Sequence, residues 1–299
     1  MSQELIFACE GRALPIRLTD AYAPGTLADL MAWLPADITI HCAKIAGCHI
    51  YWPTPILRPL EQGADIHALP AGSFLYYPER QYMEITYDRL QAEEAAVNYL
   101  GTFEGDLGWL RAFAERQRKA HGKQVVTARL SAPDAPGCPA EASQGTDPPG
   151  AAGRLAEARR AVWAEQPAEI RAFLARDGLN IPFGPLVTAE GEFRRTQELM
   201  WRLWHNSSGH GDAARVTIAR ETLRLARSRV VGYCQLHEAG HVLDTGLAAL
   251  EDGEAAVAEI LGELTRYCGR MGAWLDLYIP WWGANELTRA NLADIRANG

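Results

Sequence analysis

Two kinds of hydrophobic periodicity divide the chain. Before about residue 130, apolar and polar positions alternate in short runs such as ELIFAC (4–9), ALPIRLT (13–19) and KQVVTARL (123–130). Alternation with a period of two is typical of strands that bury one face. After residue 153 the apolar positions recur every three to four residues, which predicts amphipathic helices. The pattern therefore predicts a strand-rich first half and a helical second half.

The first half contains further strand and helix signals. DITIHCAKIAGCHIYW (37–52) predicts two strands joined at Ala46-Gly47, and GSFLYYP (72–78) with QYMEITYD (81–88) predicts a hairpin. Thr26 is predicted to cap a helix that ends before Pro35, and a second helix is predicted over 105–120. Several strands with few helices indicate a closed barrel or a strongly curved sheet.

The second half begins after a segment rich in Pro, Gly, Ala and Ser, residues 131–153, which has no large apolar anchor and is predicted to be a linker. Pro167 should split or kink the first helix that follows. The predicted helices are 154–177, 191–206, 213–244, 254–278 and 284–297. The fold class is therefore α+β with two domains, a β-barrel over 1–130 and an all-α helical bundle over 154–299.

Charge and composition exclude several classes of function. A net charge of -8 argues against nucleic acid as the main partner, since phosphate binding needs clustered Lys and Arg. No run of about 18 apolar residues occurs, so no membrane span is expected. Glu4 precedes only a short apolar stretch, unlike a signal peptide, and we expect a cytoplasmic protein. The six cysteines form no C-x-x-C pair and are expected to be small core residues.

The pentapeptide His237-Glu238-Ala239-Gly240-His241 offers a definite chemistry. Two histidines four apart lie on one face of a helix and can share a zinc ion, and Glu238 can act as general base on a zinc-bound water. Glu259 or Glu263 would supply the third ligand, and His205 and His210 are other candidates. Zincins, however, set this helix against a sheet whose edge strand holds the substrate, and the second half offers no convincing strand. We therefore favour ordinary helix residues and keep a zinc-dependent hydrolase as the alternative.

A second signature lies in the first half. It consists of the Ala23-Pro24-Gly25-Thr26 helix start, the His-x-x-Lys-x-x-Gly block over 41–47, Tyr51-Trp52-Pro53 and the hairpin over 72–87. In these features the chain resembles the cyclophilin-like barrel family that contains the cucumopine and mikimopine (opine) synthases. The resemblance implies a cyclophilin-like barrel followed by a C-terminal helical bundle, which agrees with the periodicity.

The same resemblance implies a Pictet–Spengler condensation. L-Histidine and a 2-oxo acid form an imine, and an imidazole carbon then closes a ring, without a metal, nicotinamide or ATP. The implied partners are a small amino acid and a 2-oxo acid. The helical bundle would either cap the barrel site or form the contact of a homo-oligomer. A non-catalytic barrel that binds a small molecule is the remaining alternative.

Such a reaction needs cationic or N–H donors for carboxylates, an acid to expel water and a base for the ring proton. Strand alternation places Lys44 on the same face as Ile38, Ile40 and Cys42, where desolvation would lower its pKa. It also places Tyr82 and Glu84 together on the last hairpin. The predicted site residues are Lys44 for a carboxylate or as acid, Glu84 as base, Tyr82 and Tyr51 as donors, and His41 as a further candidate.

Overall fold

The structure is a computed structural model that describes residues 4–44, 47–90, 95–133, 150–178, 180–253 and 255–298. The chain forms two compact units. The first comprises Met1–Ala142 together with Leu277–Gly299, and the second comprises Ser143–Asp276. Strands form the frame of the first unit, and the described regular structure of the second is helical.

The first unit is a closed barrel of eight antiparallel strands with a ninth, short strand at its side. The strands are β1 (Glu4–Cys9), β2 (Arg12–Leu18), β3 (Ala36–Cys42), β4 (His49–Pro53), β5 (Ala64–Asp65), β6 (Ser73–Tyr77), β7 (Tyr82–Thr86), β8 (Ala96–Phe103) and β9 (Val126–Ser131). They pair in the order β2-β1-β9-β3-β4-β7-β6-β8, β8 pairs back onto β2, and β5 pairs with β8. The predicted barrel is confirmed.

The pairing of β2 with β8 closes the ring, and it depends on a glycine. Gly101 is the register partner of Leu18 and has a φ of +157°. A Cβ at this position would lie 2.1 Å from the carbonyl oxygen of Arg17. Only a residue without a side chain allows two backbones to approach so closely. The sequence pattern did not predict β8.

Apolar side chains fill the interior of the barrel. Trp52 is fully buried, and its ring stacks on Phe7 at 5.9 Å and on Phe74 at 6.1 Å between centroids. Helices α1 (Pro24–Trp33) and α2 (Leu107–Ala120) add their apolar residues to the same core. Aromatic rings supply large buried areas, so this stack is a main source of barrel stability.

Helix α1 begins earlier than predicted. Its N-cap is Ala23, and Thr26 lies inside the first turn, so the predicted Thr26 cap is wrong. The backbone N–H and the hydroxyl of Thr26 both donate to Glu61 Oε1, each at 2.7 Å. A carboxylate from a segment distant in sequence therefore accepts the hydrogen bond of a backbone N–H at the start of the helix. The local sequence does not reveal this contact.

The second unit contains six helices in the part that the structure describes. They are α3 (Gly150–Ala164), α4 (Ala168–Leu174), α5 (Phe183–His205), α6 (Asp212–Gly232), α7 (His237–Asp252) and α8 (Val257–Asp276). The predicted helical second half is confirmed. Pro167 is the N-cap of α4 and separates it from α3, as its missing N–H requires. A turn with Gln235 at a φ of +58° divides the predicted helix 213–244 into α6 and α7.

The last helix, α9 (Trp281–Asn298), belongs to the first unit, so the helical second unit ends before the predicted boundary at 299. Of the predicted linker 131–153, residues 134–149 lie outside the described residues, and 150–153 form the first turn of α3. The five cysteines that the structure describes are free thiols, and four of them are buried. No helix in the described ranges is long and apolar enough to cross a membrane.

Candidate active site

Polar and aromatic side chains cover the outer face of three neighbouring barrel strands. On β3, β4 and β7 the residues that alternate with the core positions are His41, His49, Tyr51, Tyr82 and Glu84. We call these five residues the polar face. In the register of the sheet, His41 is paired with Tyr51, and Tyr51 is paired with Glu84. The sheet therefore brings three separate chain segments together.

Tyr51 lies at the centre of the polar face. Its ring stacks on His41 at 5.1 Å, and the ring centroids of Tyr82 and His49 lie 4.4 Å and 5.8 Å away. All five residues are buried, with exposed fractions from 0% for His41 to 8% for Tyr82. Burial of polar groups has a free-energy cost, and a cluster of buried titratable groups indicates a functional site.

His49 and Glu84 form an acid–base pair on the polar face. His49 Nε2 lies 3.9 Å from Glu84 Oε2, a distance that would suit an ion pair. Burial, however, lowers the pKa of His49 from 6.5 to about 4, and the positive charge of Arg118 acts in the same direction. Because the cost of burying the charge decides the protonation state, His49 is a neutral imidazole at pH 7. It then has one N–H to donate and one lone pair to accept a proton.

His121 adds a further imidazole beside the polar face. It is the C-cap of α2, is buried, and lies with its ring 6.2 Å from that of His41. Its Nδ1 is 3.1 Å from the carbonyl oxygen of Ile279. Sequence reasoning missed His49 and His121. Strand alternation pairs His49 with Tyr51 and could have found it, whereas nothing in the local sequence connects His121 with β3.

Lys44 lies outside the strands that carry the other predicted site residues. Strand β3 ends at Cys42, so the alternation does not extend to Lys44, and the predicted place on the apolar face is wrong. The side chain is half-buried, and its Nζ lies 4.8 Å from the centroid of the Trp281 ring on α9. The guanidinium of Arg118 lies 5.8 Å from the centroid of the next ring, Trp282, and donates to the Tyr87 hydroxyl at 2.8 Å. A role for Lys44 in binding a carboxylate stays a prediction.

The HEAGH pentapeptide starts helix α7. His237, Glu238 and His241 are exposed. The Glu169 carboxylate accepts hydrogen bonds from the backbone N–H groups of Glu238 at 2.7 Å and Ala239 at 2.9 Å. A carboxylate at this position satisfies two of the four N–H groups that every helix leaves open at its N-terminus.

The predicted third zinc ligands do not join this pair. Glu263 is bound by Arg159 at 2.8 Å and by Arg266 at 3.2 Å, and Glu259 is exposed on α8. Within the described ranges, no set of three side chains placed to hold a metal includes His237 or His241. Gly240 has a packing role, since a Cβ there would lie 2.3 Å from Val231 Cγ2.

Comparison with solved structures finds a match along nearly the whole chain. A solved structure described as McbB in complex with tryptophan matches with a TM-score of 0.75 at 19% sequence identity, covering 95% of this chain and 99% of that chain. The solution structure of the hypothetical protein AF2241 from Archaeoglobus fulgidus matches with a TM-score of 0.33 at 15% identity, covering 44% of this chain and 95% of that chain. No protein-family model and no curated protein matches. The likeness to McbB confirms the predicted fold, a strand barrel combined with helices.

Proposed function

We propose that this protein is an enzyme that condenses an aromatic amino acid with a carbonyl compound in a Pictet–Spengler reaction. The polar face carries the proposal, because it combines a buried carboxyl group, two tyrosine hydroxyls and imidazoles on one surface. McbB, which has this fold, is described with tryptophan bound, and this supports an aromatic amino acid as the ligand. The resemblance to the opine synthases supports the same class of reaction.

The reaction requires proton transfers and no electron transfer to a cofactor. The amino group adds to the carbonyl carbon, and the carbinolamine loses water to form an iminium ion. A ring carbon of the amino acid then attacks the iminium carbon and forms the new C–C bond. The same ring carbon loses its proton, and the electron pair restores the aromatic ring. One water is released in total and no electrons leave the substrates, so the reaction needs no redox cofactor. We propose that it uses no metal either.

The residues of the polar face match these steps. Glu84 is the base that takes the ring proton, because its carboxyl group is the buried acid of the site. Tyr82 and Tyr51 donate hydrogen bonds to the carbonyl oxygen and help water to leave. We propose that His41 and the neutral His49, which lie next to Tyr51, hold protons in transit. Lys44, next to Trp281, is proposed to attract a substrate carboxylate.

Two amino acids fit the ring-closing step. The resemblance to the opine synthases favours L-histidine with a 2-oxo acid, and the tryptophan bound to McbB favours L-tryptophan. Both carry a nucleophilic ring carbon at the distance that closes a six-membered ring on the imine. We propose that the second substrate is a 2-oxo acid such as 2-oxoglutarate.

The test is to incubate the purified protein with L-histidine or L-tryptophan and a panel of 2-oxo acids and aldehydes. We expect a product with the mass of both substrates less one water. With ring-deuterated amino acid, ring closure removes one deuterium, whereas an open imine keeps it and is reduced by borohydride. Heat-denatured protein controls for spontaneous condensation, and an enzymatic product should be a single stereoisomer.

Two outcomes would contradict the proposal. The absence of product with every substrate pair would reject the condensation. Saturable binding of the amino acid without turnover, measured by calorimetry, would favour the non-catalytic binding barrel.

A further inference from the structure

A cavity of about 240 Å³ lies among helices α3, α4, α7 and α8 of the second unit. Its walls are mainly apolar and include Val162, Pro167, Val242 and Met271. Drug-sized ligands occupy pockets of about 300–1,000 Å³, so this cavity suits a smaller molecule. None of the described residues that line it belongs to the polar face. The cavity is therefore separate from the proposed condensation site.

Tyr267 of α8 supplies a buried polar group to this cavity. Its side chain is 4% exposed, and among the described residues its hydroxyl has no hydrogen-bond partner. Burial raises the pKa of this hydroxyl well above its usual value, and Cys268 and Glu169 act in the same direction. The hydroxyl is therefore neutral and can both donate and accept. A buried tyrosine hydroxyl usually has a partner, and a ligand in the cavity would provide one.

Carboxylates border the same cavity. Glu165 directly follows α3, and Glu169 lies in the first turn of α4. In the ranges that the structure describes, neither of these two side chains takes part in an ion pair. Glu169 accepts hydrogen bonds from two backbone N–H groups at the start of α7, but a carboxylate has about four acceptor positions and keeps some for a ligand. The N-terminus of α7 offsets only about half of one negative charge, so the cavity favours a cation.

The arrangement of these groups favours an organic cation over a metal ion. For the described part of the chain, no set of three side chains placed to hold a metal includes Glu165 or Glu169. The apolar walls suit a hydrocarbon chain, which is driven out of water into such a space. An ammonium group has three N–H donors and is also attracted to the face of an aromatic ring. A short alkyl chain with an ammonium group therefore matches both the walls and the polar groups.

We propose that this cavity binds a small aliphatic amine as its ammonium ion. The ammonium group donates to the Glu169 carboxylate and the Tyr267 hydroxyl, and Glu165 adds attraction through its charge. The alkyl chain packs on Val162 and Val242. The proposal is independent of the proposed reaction, because the described lining residues and the polar face have no member in common.

The first test is isothermal titration calorimetry of the full chain with n-butylamine at neutral pH. We expect saturable binding of one amine per chain. The uncharged n-butanol, which has nearly the same shape, should bind at least about tenfold more weakly, because it lacks the positive charge. The absence of saturable binding up to about 10 mM amine, or equal affinity for the amine and the alcohol, would overturn the proposal.

Variants of the cavity test where the amine binds. Tyr267→Phe keeps the ring and removes the hydroxyl, so we expect Kd for n-butylamine to rise at least about fivefold. Ala161→Leu should abolish binding, because the larger side chain fills part of the cavity. The matched control is Ala164→Leu on the same helix, which changes an exposed residue outside the cavity and should bind as the wild type does. Wild-type affinity in both Tyr267→Phe and Ala161→Leu would reject this site. Circular dichroism confirms that each variant is folded.

Discussion

Histidines and carboxylates come together in two regions of this protein, and the two regions differ in burial. On the polar face, three strands bring His41, His49 and Glu84 to one buried surface. In the HEAGH helix, His237 and His241 are neighbours in sequence and remain exposed. Burial, and not proximity along the chain, is what changes the chemistry of an imidazole, as the lowered pKa of His49 shows. A sequence motif fixes the spacing of its residues along the chain, whereas only the fold decides whether their side chains are removed from water.

The largest expected effect is a loss of activity when the carboxyl group of Glu84 is removed, compared with removal of the carboxyl group of Glu238. Glu84→Gln keeps the shape of a buried side chain and removes the base, so we expect kcat to fall by roughly 10²–10⁴-fold. Glu238→Gln is the matched control and should leave kcat within about twofold, because Glu238 is exposed and is not part of the polar face. Product formation by mass spectrometry measures both. Equal activity of Glu84→Gln and the wild type would assign the base to another residue.

The pH dependence of stability should depend on His49. Because its pKa falls from 6.5 to about 4 on folding, the unfolded chain binds more protons than the native protein between these values. The neutral imidazole therefore makes its full contribution to the free energy of unfolding above pH 6.5. This contribution, about 3 kcal/mol in total, is lost as the pH falls toward 4. Urea unfolding of the wild type at several pH values measures this loss.

A variant without the titrating group isolates this effect. His49→Gln should flatten the decline in the free energy of unfolding between pH 6.5 and 4, whatever its stability at pH 7. His237→Ala, which removes an exposed imidazole, should keep the slope of the wild type. An unchanged slope in His49→Gln would show that folding does not lower the pKa of His49.

A pair of glycine substitutions tests whether the HEAGH segment has a packing role. Gly240→Ala should lower the free energy of unfolding by about 1–2 kcal/mol, because the added Cβ would lie 2.3 Å from Val231 Cγ2. Gly232→Ala, at the end of α6, meets no atom within 4 Å and should be neutral or stabilising by up to about 1 kcal/mol. Chemical denaturation compares them. Equal stability of both variants would remove the packing explanation.

The smallest expected effect concerns the histidines of the pentapeptide. His237→Ala combined with His241→Ala should leave the condensing activity within about twofold, since both side chains are exposed. Metal analysis of wild type and variant should give the same zinc content. Stoichiometric zinc in the wild type that disappears in the variant would instead revive the metal hypothesis.

Local patterns predicted much of the fold. The alternation in ELIFAC matches β1 at both ends, and the hairpin over 72–88 matches β6 and β7. Strand β8 was missed because its place in the barrel depends on the close approach of Gly101 to Arg17, a contact between distant segments. The end of β3 at Cys42 was also missed, and the predicted place of Lys44 on the strand failed for that reason.

The sequence also predicted most of the residues of the candidate site, but not all of them. Tyr51, Tyr82, Glu84 and His41 were proposed from strand alternation and the family resemblance, and the structure places them on one face. Their catalytic roles stay predictions. His121 could not be found from sequence, because a helix C-cap has no pattern that reports its approach to β3.

The stacked rings of Trp52, Phe7 and Phe74 have a consequence for how this protein can change. The barrel's own side chains occupy its lumen, so the site that we propose lies on the outside of the wall. Under this proposal, substitutions that alter ligand preference can accumulate on one side of β4 and β7 while the residues that hold the barrel together stay the same. The proposed selectivity and the folding then depend on opposite sides of the same strands.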